Sequence, residues 1–326
     1  MLLEVEDLLV RYRTSRGTLS AVDGVSIALA RGETVGLVGE SGCGKSSLGK
    51  AITRLVPAES GAIRLDGTDL APLSRRAMKR HRPRLQMMFQ DSLSAFDPRR
   101  SIGQSLRQPL DVHRVGDRLS RQHKIDMRLE RVGLPASVQS RLPHEFSGGQ
   151  RQRLNLARAL MLDPDVVVCD EPVAALDVSL QAQVLNLMRE LQQELGIAYL
   201  FISHDLAVVG YMADRIAVMY LGVIVETLPR TRLWDASLHP YTQILIASVP
   251  DVERPAALSA PPTGELPSPF SPPSGCRFRT RCPYAFAACD SAPPLREVEP
   301  AHWVACHLHA PLASPRALPS TTGARP

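Results

Sequence analysis

Residues 34–38, Thr-Val-Gly-Leu-Val, form a short apolar run that passes straight into Gly39-Glu40-Ser41-Gly42-Cys43-Gly44-Lys45-Ser46, and the residues on to Leu55 have helical composition. A strand, a GxxxxGKS loop and a helix in that order constrain this chain more than any other feature. Glycines at 39, 42 and 44 let backbone amides curl round a phosphate with no side chain in the way, and the helix N-terminus adds its partial positive charge. Lys45 can reach the β- and γ-phosphates of a nucleotide, and the Ser46 hydroxyl can bind Mg²⁺. Gly39, Ser41, Gly42, Cys43, Gly44, Lys45, Ser46 and Ser47 are therefore the candidate binding positions, with the Cys43 thiol itself a bystander.

A second constellation lies downstream. Residues 166–169 are wholly apolar and run into Asp170-Glu171, as expected of a central parallel strand buried on both faces. Carboxylates end such a strand when a cation is waiting. Asp170 would hold Mg²⁺ through its water shell, while Glu171, pointing the other way, would orient and deprotonate an attacking water. Ser147-Gly148-Gly149-Gln150 opens a helix over residues 151–162, the serine capping it and the glycines leaving amides for an anion. Taken singly, that turn is a plain helix cap. Gln90, after the apolar run 85–89, is likewise a loop residue, and His204, at the end of a strand over 198–203, a satisfied histidine. Their order along the chain argues for one site.

Together these motifs resemble the nucleotide-binding subunit of an ATP-binding-cassette (ABC) transporter over roughly residues 1–235. The resemblance implies an α/β P-loop NTPase cassette: a RecA-like core, an antiparallel β subdomain and a helical subdomain over about 91–160. It implies that Tyr12 stacks on adenine, that Gln90 touches Mg²⁺ and the attacking water, and that His204 hydrogen-bonds the γ-phosphate. Ser147, Gly149 and Gln150 would close on the ATP held by a second cassette, so two cassettes must pair head to tail. Asp177, in Ala174-Ala175-Leu176-Asp177, falls in the family's dimer-interface loop, where Ala174 replaces the usual serine.

Composition narrows the setting. At 44% hydrophobic the chain has apolar material for one large domain or two smaller ones, which excludes wholesale disorder. Its net charge of +5 would suit nucleic acid or an anionic membrane face, but it is spread without a polybasic block and so decides neither; no nucleic-acid partner is expected. The longest apolar candidate, residues 216–225, falls well short of the roughly eighteen needed to span a bilayer. An acidic start, Met1-Leu2-Leu3-Glu4-Val5-Glu6-Asp7, is unlike a signal peptide, so a cytoplasmic chain is expected. Leu3, Val5 and Leu8-Leu9-Val10, then Val25, Ile27 and Leu29 after the turn residues Asp23-Gly24, predict a small antiparallel sheet. A basic helix is predicted over 74–82, ending at Pro83. Further helices are predicted over 117–132 and 179–195.

From residue 249 the composition shifts: more than half of the 27 prolines lie there, and little regular structure is expected. Cys276, Cys282, Cys289 and Cys306 offer four thiolates in a segment too poor in apolar residues to fold alone, so a metal could supply the missing core. The spacing alone leans towards zinc, with His302 and His307 as substitute ligands, over unligated or disulfide-bonded thiols. However, Gly275-Cys276-Arg277-Phe278, Arg281-Cys282-Pro283-Tyr284, Ala305-Cys306-His307 and the earlier His239-Pro240-Tyr241-Thr242 resemble the extension of oligopeptide and dipeptide importer ATPases. That resemblance implies a 4Fe-4S cluster on the four cysteines, with zinc as the alternative.

The expectation is thus an ATP-hydrolysing subunit of a dipeptide or oligopeptide importer, with a cassette over 1–235 and an extension over 236–326 whose end, about 312–326, is disordered. The loop wording resembles the second ATPase of such importers. Its partners would be a related ATPase in a heterodimer, with a homodimer open, two transmembrane permease subunits and, indirectly, an external peptide-binding protein. It would sit peripherally on the cytoplasmic face of the inner membrane. Nickel or glutathione uptake stays open as the cargo, and a cassette acting on DNA or ribosomes as the alternative class.

Overall fold

The computed structural model describes residues 1–15, 17–91, 95–249 and 267–309. The end expected to be disordered, 312–326, lies outside the described residues. Contacts divide the chain into two units, one of residues 1–30, 34–71 and 201–326, the other of 31–33 and 72–200.

In the first unit the early alternation builds β1 (Leu3–Thr14) and β2 (Gly17–Leu29), paired antiparallel with Leu3 opposite Leu29 and Val5 opposite Ile27. Asp23-Gly24 is not the turn expected there. It lies inside β2, where the register slips between the Leu8–Val25 and Leu9–Asp23 pairs and Gly24 takes φ 68°. Such a bulge absorbs an extra residue and bends a strand without ending it. Next come β3 (Thr34–Val38), buried throughout, α1 (Lys45–Ile52), β4 (Ser60–Leu65) and β5 (Thr68–Asp69). One sheet runs β2-β1-β4-β5.

The second unit opens with α2 (Arg75–Met78), a single turn capped by Ser74, in place of the longer predicted helix. Pro83 instead sits second in a 3₁₀ turn over Arg82–Arg84, where its missing N–H matters least. β6 (Leu85–Met88) pairs in parallel with the later β7 (Val166–Asp170). Between them α3 (Ile102–His113), α4 (Arg118–Arg131) and α5 (Gly148–Ala159) bury Ile102, Leu106, Leu110, Ile125, Leu129 and Leu154 in one helical core. Capping boxes start α3 at Ser101 and α5 at Ser147. α6 (Val178–Leu195) ends at Gly196 in the left-handed region, and β8 (Ala198–Ile202) follows.

Back in the first unit, α7 (Leu206–Met212) precedes β9 (Arg215–Tyr220), which pairs in parallel with β3, and β10 (Val223–Pro229), antiparallel to β9. α8 (Pro240–Ala247) follows. The tail then departs from expectation: β11 (Arg296–Glu299) and β12 (His302–Val304) form an antiparallel pair, and β12 pairs with β10. A buried carboxylate explains why. Glu226, on β10 and fully buried, accepts from His302 Nε2 at 2.7 Å, from the Leu238 amide at 2.7 Å and from the His239 amide at 3.1 Å. Desolvating a carboxylate is costly unless donors surround it, and here β12 supplies one of them. Among the described residues no helix is long and apolar enough to cross a membrane.

His239 caps α8, its Nδ1 accepting from the Tyr241 amide at 3.0 Å. Burial, the largest influence, lowers its pKa from 6.5 to about 4. The folded chain keeps this ring neutral where the unfolded chain binds a proton. Its stabilisation is therefore complete above pH 6.5 and is lost as pH falls towards 4. Denaturant titrations from pH 7 to about 4.5 are expected to lose on the order of 2 kcal/mol from this group. His239→Asn, which keeps a cap acceptor that does not titrate, is expected to flatten that slope; equal slopes would assign the loss to other groups.

Candidate functional site

The loop between β3 and α1 closes round its own lysine. Lys45 is 5% exposed, and its Nζ donates to the carbonyls of Gly39 at 2.7 Å and Glu40 at 3.0 Å. Two glycines make that curl possible. Gly39 sits at φ 154° and Gly44 at φ 110°; a Cβ on Gly39 would lie 2.1 Å from the Met219 carbonyl oxygen, and one on Gly44 2.0 Å from that of Ala21. Backbone against backbone cannot yield, so neither position admits a side chain. Gly44 is also the N-cap of α1, so no side chain occupies the helix's first amides, the arrangement that receives anions. Ser46 and Ser47 are half-buried in the first turn of α1, and Ser41 and Gly42 are exposed at the loop tip. The Cys43 thiol is buried, which raises its pKa and keeps it protonated.

Also in this unit, Tyr12 is half-buried on β1 opposite Leu19. The Ser203 amide donates to the Leu37 carbonyl at 3.1 Å, two residues before the loop begins. His204, the next residue, is exposed, and Asp205 caps α7 behind it.

The other unit groups the remaining residues in two pairs. Asp170 ends β7 and is 4% exposed, whereas Glu171 takes left-handed φ 46° and is half-buried. A glutamate in that conformation carries strain of roughly 1–3 kcal/mol, a cost that clusters at functional positions. Gln90 Nε2 donates to Glu171 Oε2 at 2.9 Å, which leaves the glutamine's amide oxygen out of that bond. Asn155, missed by the sequence reasoning, steadies this pair: it is buried in α5 and its Nδ2 donates to the Phe89 carbonyl at 3.1 Å. A polar residue among apolar ones on the inward face of a helix was the available signal.

The second pair is built from helix starts. Ser147 Oγ accepts from the Gln150 amide at 3.3 Å while Gln150 Oε1 accepts from the Ser147 amide at 3.1 Å. A Cβ on Gly149 would meet Leu180 at 3.3 Å, and one on Gly148 would meet Leu176 at 3.4 Å, so the start of α5 lies against that of α6. Asp177 caps α6, accepting from the Leu180 amide at 2.9 Å and the Ser179 hydroxyl at 2.7 Å; these bonds hold its carboxyl below the usual range. Ala174 is exposed in the same loop.

The metal centre expected in the tail is corrected by the structure. Among the described residues no group of three or more His, Cys, Asp or Glu side chains is arranged to hold a metal ion, so neither the 4Fe-4S cluster nor zinc is supported. Cys276, Cys282, Cys289 and Cys306 are all free thiols. Burial raises the pKa of Cys276 and Cys282 and pushes Cys306 up to about 11, so these thiols are protonated in the chain described. The substitute ligands are engaged elsewhere, His302 on Glu226 and His307 Nε2 on the Ser291 carbonyl at 3.0 Å.

Comparison with known proteins adds family relations. A family profile described as ABC transporter matches residues 22–174, and one described as oligopeptide/dipeptide transporter, C-terminal region, matches 225–289. The chain is 50% identical over 307 residues to a putative peptide import ATP-binding protein of Brucella ovis, covering 94% of this chain and 97% of that one. It is 48% identical over 303 residues to the oligopeptide transport ATP-binding protein AppF of Bacillus subtilis, covering 91% and 92%. Among solved structures, the dimeric bacterial ABC transporter cassette MJ0796 aligns at TM-score 0.65 and 23% identity, covering 70% of this chain and 98% of that one. The cassette cbiO1 of Clostridium perfringens aligns at TM-score 0.64 and 28% identity, covering 72% and 91%.

Gly44→Ala is expected to abolish triphosphate binding and to destabilise the chain by about 3 kcal/mol, because the new methyl meets the Ala21 carbonyl in a left-handed backbone. Titration calorimetry and a denaturant melt check both; unchanged binding would remove the loop from the site.

Proposed function

The chain belongs to the peptide-importer ATP-binding subunits of the ABC transporter family, and from that premise we propose how its residues perform ATP-driven uptake. The observation that carries the hydrolytic half is Glu171 in a left-handed backbone after Asp170, with Gln90 on its carboxylate. Lys45 and the amides of residues 39–47 bind the β- and γ-phosphates, and Tyr12 stacks on the adenine. Ser46, Gln90 and Asp170 offer the hard oxygen donors that Mg²⁺ takes; the amide oxygen of Gln90 suits this role because its other amide atom serves Glu171. The ion, when bound, screens the phosphate charge. Glu171 accepts the proton of the attacking water, Gln90 orients that water, and His204 donates to the γ-phosphate.

Ser147, Gly149 and Gln150 serve the triphosphate on a second cassette, with Asp177 in the loop between the two sites. A single chain is then half of each site, and two cassettes close over two nucleotides. The companion is a related ATPase in a heterodimer, and both dock on two permease subunits at the cytoplasmic face of the inner membrane. An external receptor delivers the peptide. The cassette spans residues 1–235 and the extension 236–326. The match of residues 225–289 to the oligopeptide/dipeptide transporter C-terminal region supports a transport role over one on DNA or ribosomes.

Glu171→Gln keeps the size of the side chain and removes the base. Turnover is expected to fall by about a hundredfold or more while ATP traps a stable dimer, read by phosphate release and by size-exclusion chromatography. Unchanged hydrolysis would take Glu171 out of this role. Affinity purification from membranes is expected to recover two membrane subunits and a second ATPase, and recovery with DNA or ribosomes instead would overturn the transport assignment.

A further inference from the structure

Glu40, the second residue of the phosphate loop, is held at its amide and at its carboxylate from the far end of the sequence. Its amide donates to Tyr241 Oη at 2.8 Å. Its carboxylate takes two bonds from Arg281, Nη1 to Oε2 at 2.8 Å and Nη2 to Oε1 at 3.0 Å. Tyr241 is 1% exposed and Arg281 7%, while the Glu40 side chain is 29% exposed, so these contacts are partly shielded from water. A two-pronged guanidinium–carboxylate pair fixes direction as well as distance, unlike an ordinary surface ion pair.

Both side chains are themselves immobilised. His239 caps the helix that carries Tyr241, whose ring packs on Tyr220 with centroids 4.6 Å apart and on Phe278 at 5.5 Å. The Arg281 amide donates to the Phe278 carbonyl at 3.0 Å, which ties the arginine to the same aromatic cluster. Arg277 bonds Asp23 and the Leu221 carbonyl, and the next residue, Gly222, donates its amide to the Cys43 carbonyl in the middle of the loop. The segment whose cysteines suggested a metal thus applies its arginines to the loop and to the turn beneath it.

Two consequences follow for a triphosphate. A free carboxylate at position 40 would compete for Lys45, whose Nζ already bonds the Glu40 carbonyl, and would repel the incoming phosphates. Arg281 cancels that charge and pins both oxygens, while Tyr241 fixes the peptide at the mouth of the loop. We propose that Arg281 and Tyr241 are positioning residues for the nucleotide: the docked extension holds the phosphate loop in its binding shape and neutralises Glu40, so that ATP affinity depends on the extension.

This inference rests on the ATPase assignment above, and its test separates the two. Dissociation constants for MgATP are measured on the full chain, and KM and kcat on the assembled transporter, for wild type and for Lys45→Ala, Arg281→Ala, Arg281→Lys, Tyr241→Phe and Glu40→Gln. Arg281→Ala is expected to raise Kd and KM about tenfold with kcat within about twofold, the scale of a lost charged hydrogen-bond pair. Arg281→Lys is expected to recover part of that loss, and the effect of Arg281→Ala should shrink to about threefold or less in the Glu40→Gln background. Tyr241→Phe keeps the ring packing and tests the loop amide contact even where the arginine variants fold poorly; it should raise Kd about threefold. Wild-type Kd in both Arg281→Ala and Tyr241→Phe, a loss in kcat with KM unchanged, or an effect of Arg281→Ala undiminished in Glu40→Gln would overturn the proposal. If wild type itself binds no MgATP, or Lys45→Ala binds it unchanged, the ATPase assignment fails instead.

Discussion

Peptide groups of two strands and one turn press directly against the phosphate loop, and the rest of its unit is arranged so that they can. The Met219 carbonyl from β9 lies under Gly39, the Ala21 carbonyl from β2 lies under Gly44, and the Gly222 amide bonds Cys43. Contacts this close admit hydrogen and nothing larger, so the loop inherits the rigidity of the strands below it. Lys45 then has one place to go, inward against the carbonyls of Gly39 and Glu40. The bulge in β2 at Gly24 fits the same logic, since the Asp23 amide bonds the Gly222 carbonyl and so ties β2 to the turn that supports the loop.

What was legible in the sequence was chemistry tied to short spacing. The loop of 39–46, the carboxylates at 170 and 171 and the turn at 147–150 all declare themselves within a few residues, because the backbone conformation each needs is local. The boundaries of α6 followed to within one residue, whereas α5 begins and ends three residues earlier than expected, because the capping box at Ser147 already takes both glycines into the helix. Long-range choices were not legible. Asp23-Gly24 has the composition of a turn, and only pairing with β1 makes it a bulge. The tail reads as proline-rich coil because the reason for β12 lies elsewhere, in a carboxylate on β10 that must be given donors.

The cysteines of the tail show the same limit from the opposite side. Four thiols in an apolar-poor segment suggest that metal replaces the core, yet the segment borrows its core from the cassette instead: Phe278 packs against Tyr220 and Tyr241, and Trp303 and Val304 are buried on β12. With that burial the thiols of Cys276, Cys282 and Cys306 stay protonated, and the charges that matter in the segment belong to Arg277 and Arg281. Residues flanking a conspicuous motif can carry the interaction while the motif supplies packing.

The reciprocal bonds between Ser147 and Gln150, with Gly149 set against Leu180, bear on how fast two such chains can meet. A turn already ordered in each protomer does not have to search for its shape on encounter, so little conformational entropy is lost there when the halves come together. Under the proposed pairing of two cassettes, the free energy of closure would come from the triphosphate caught between them, and the clasp would open again once that ligand had been cleaved.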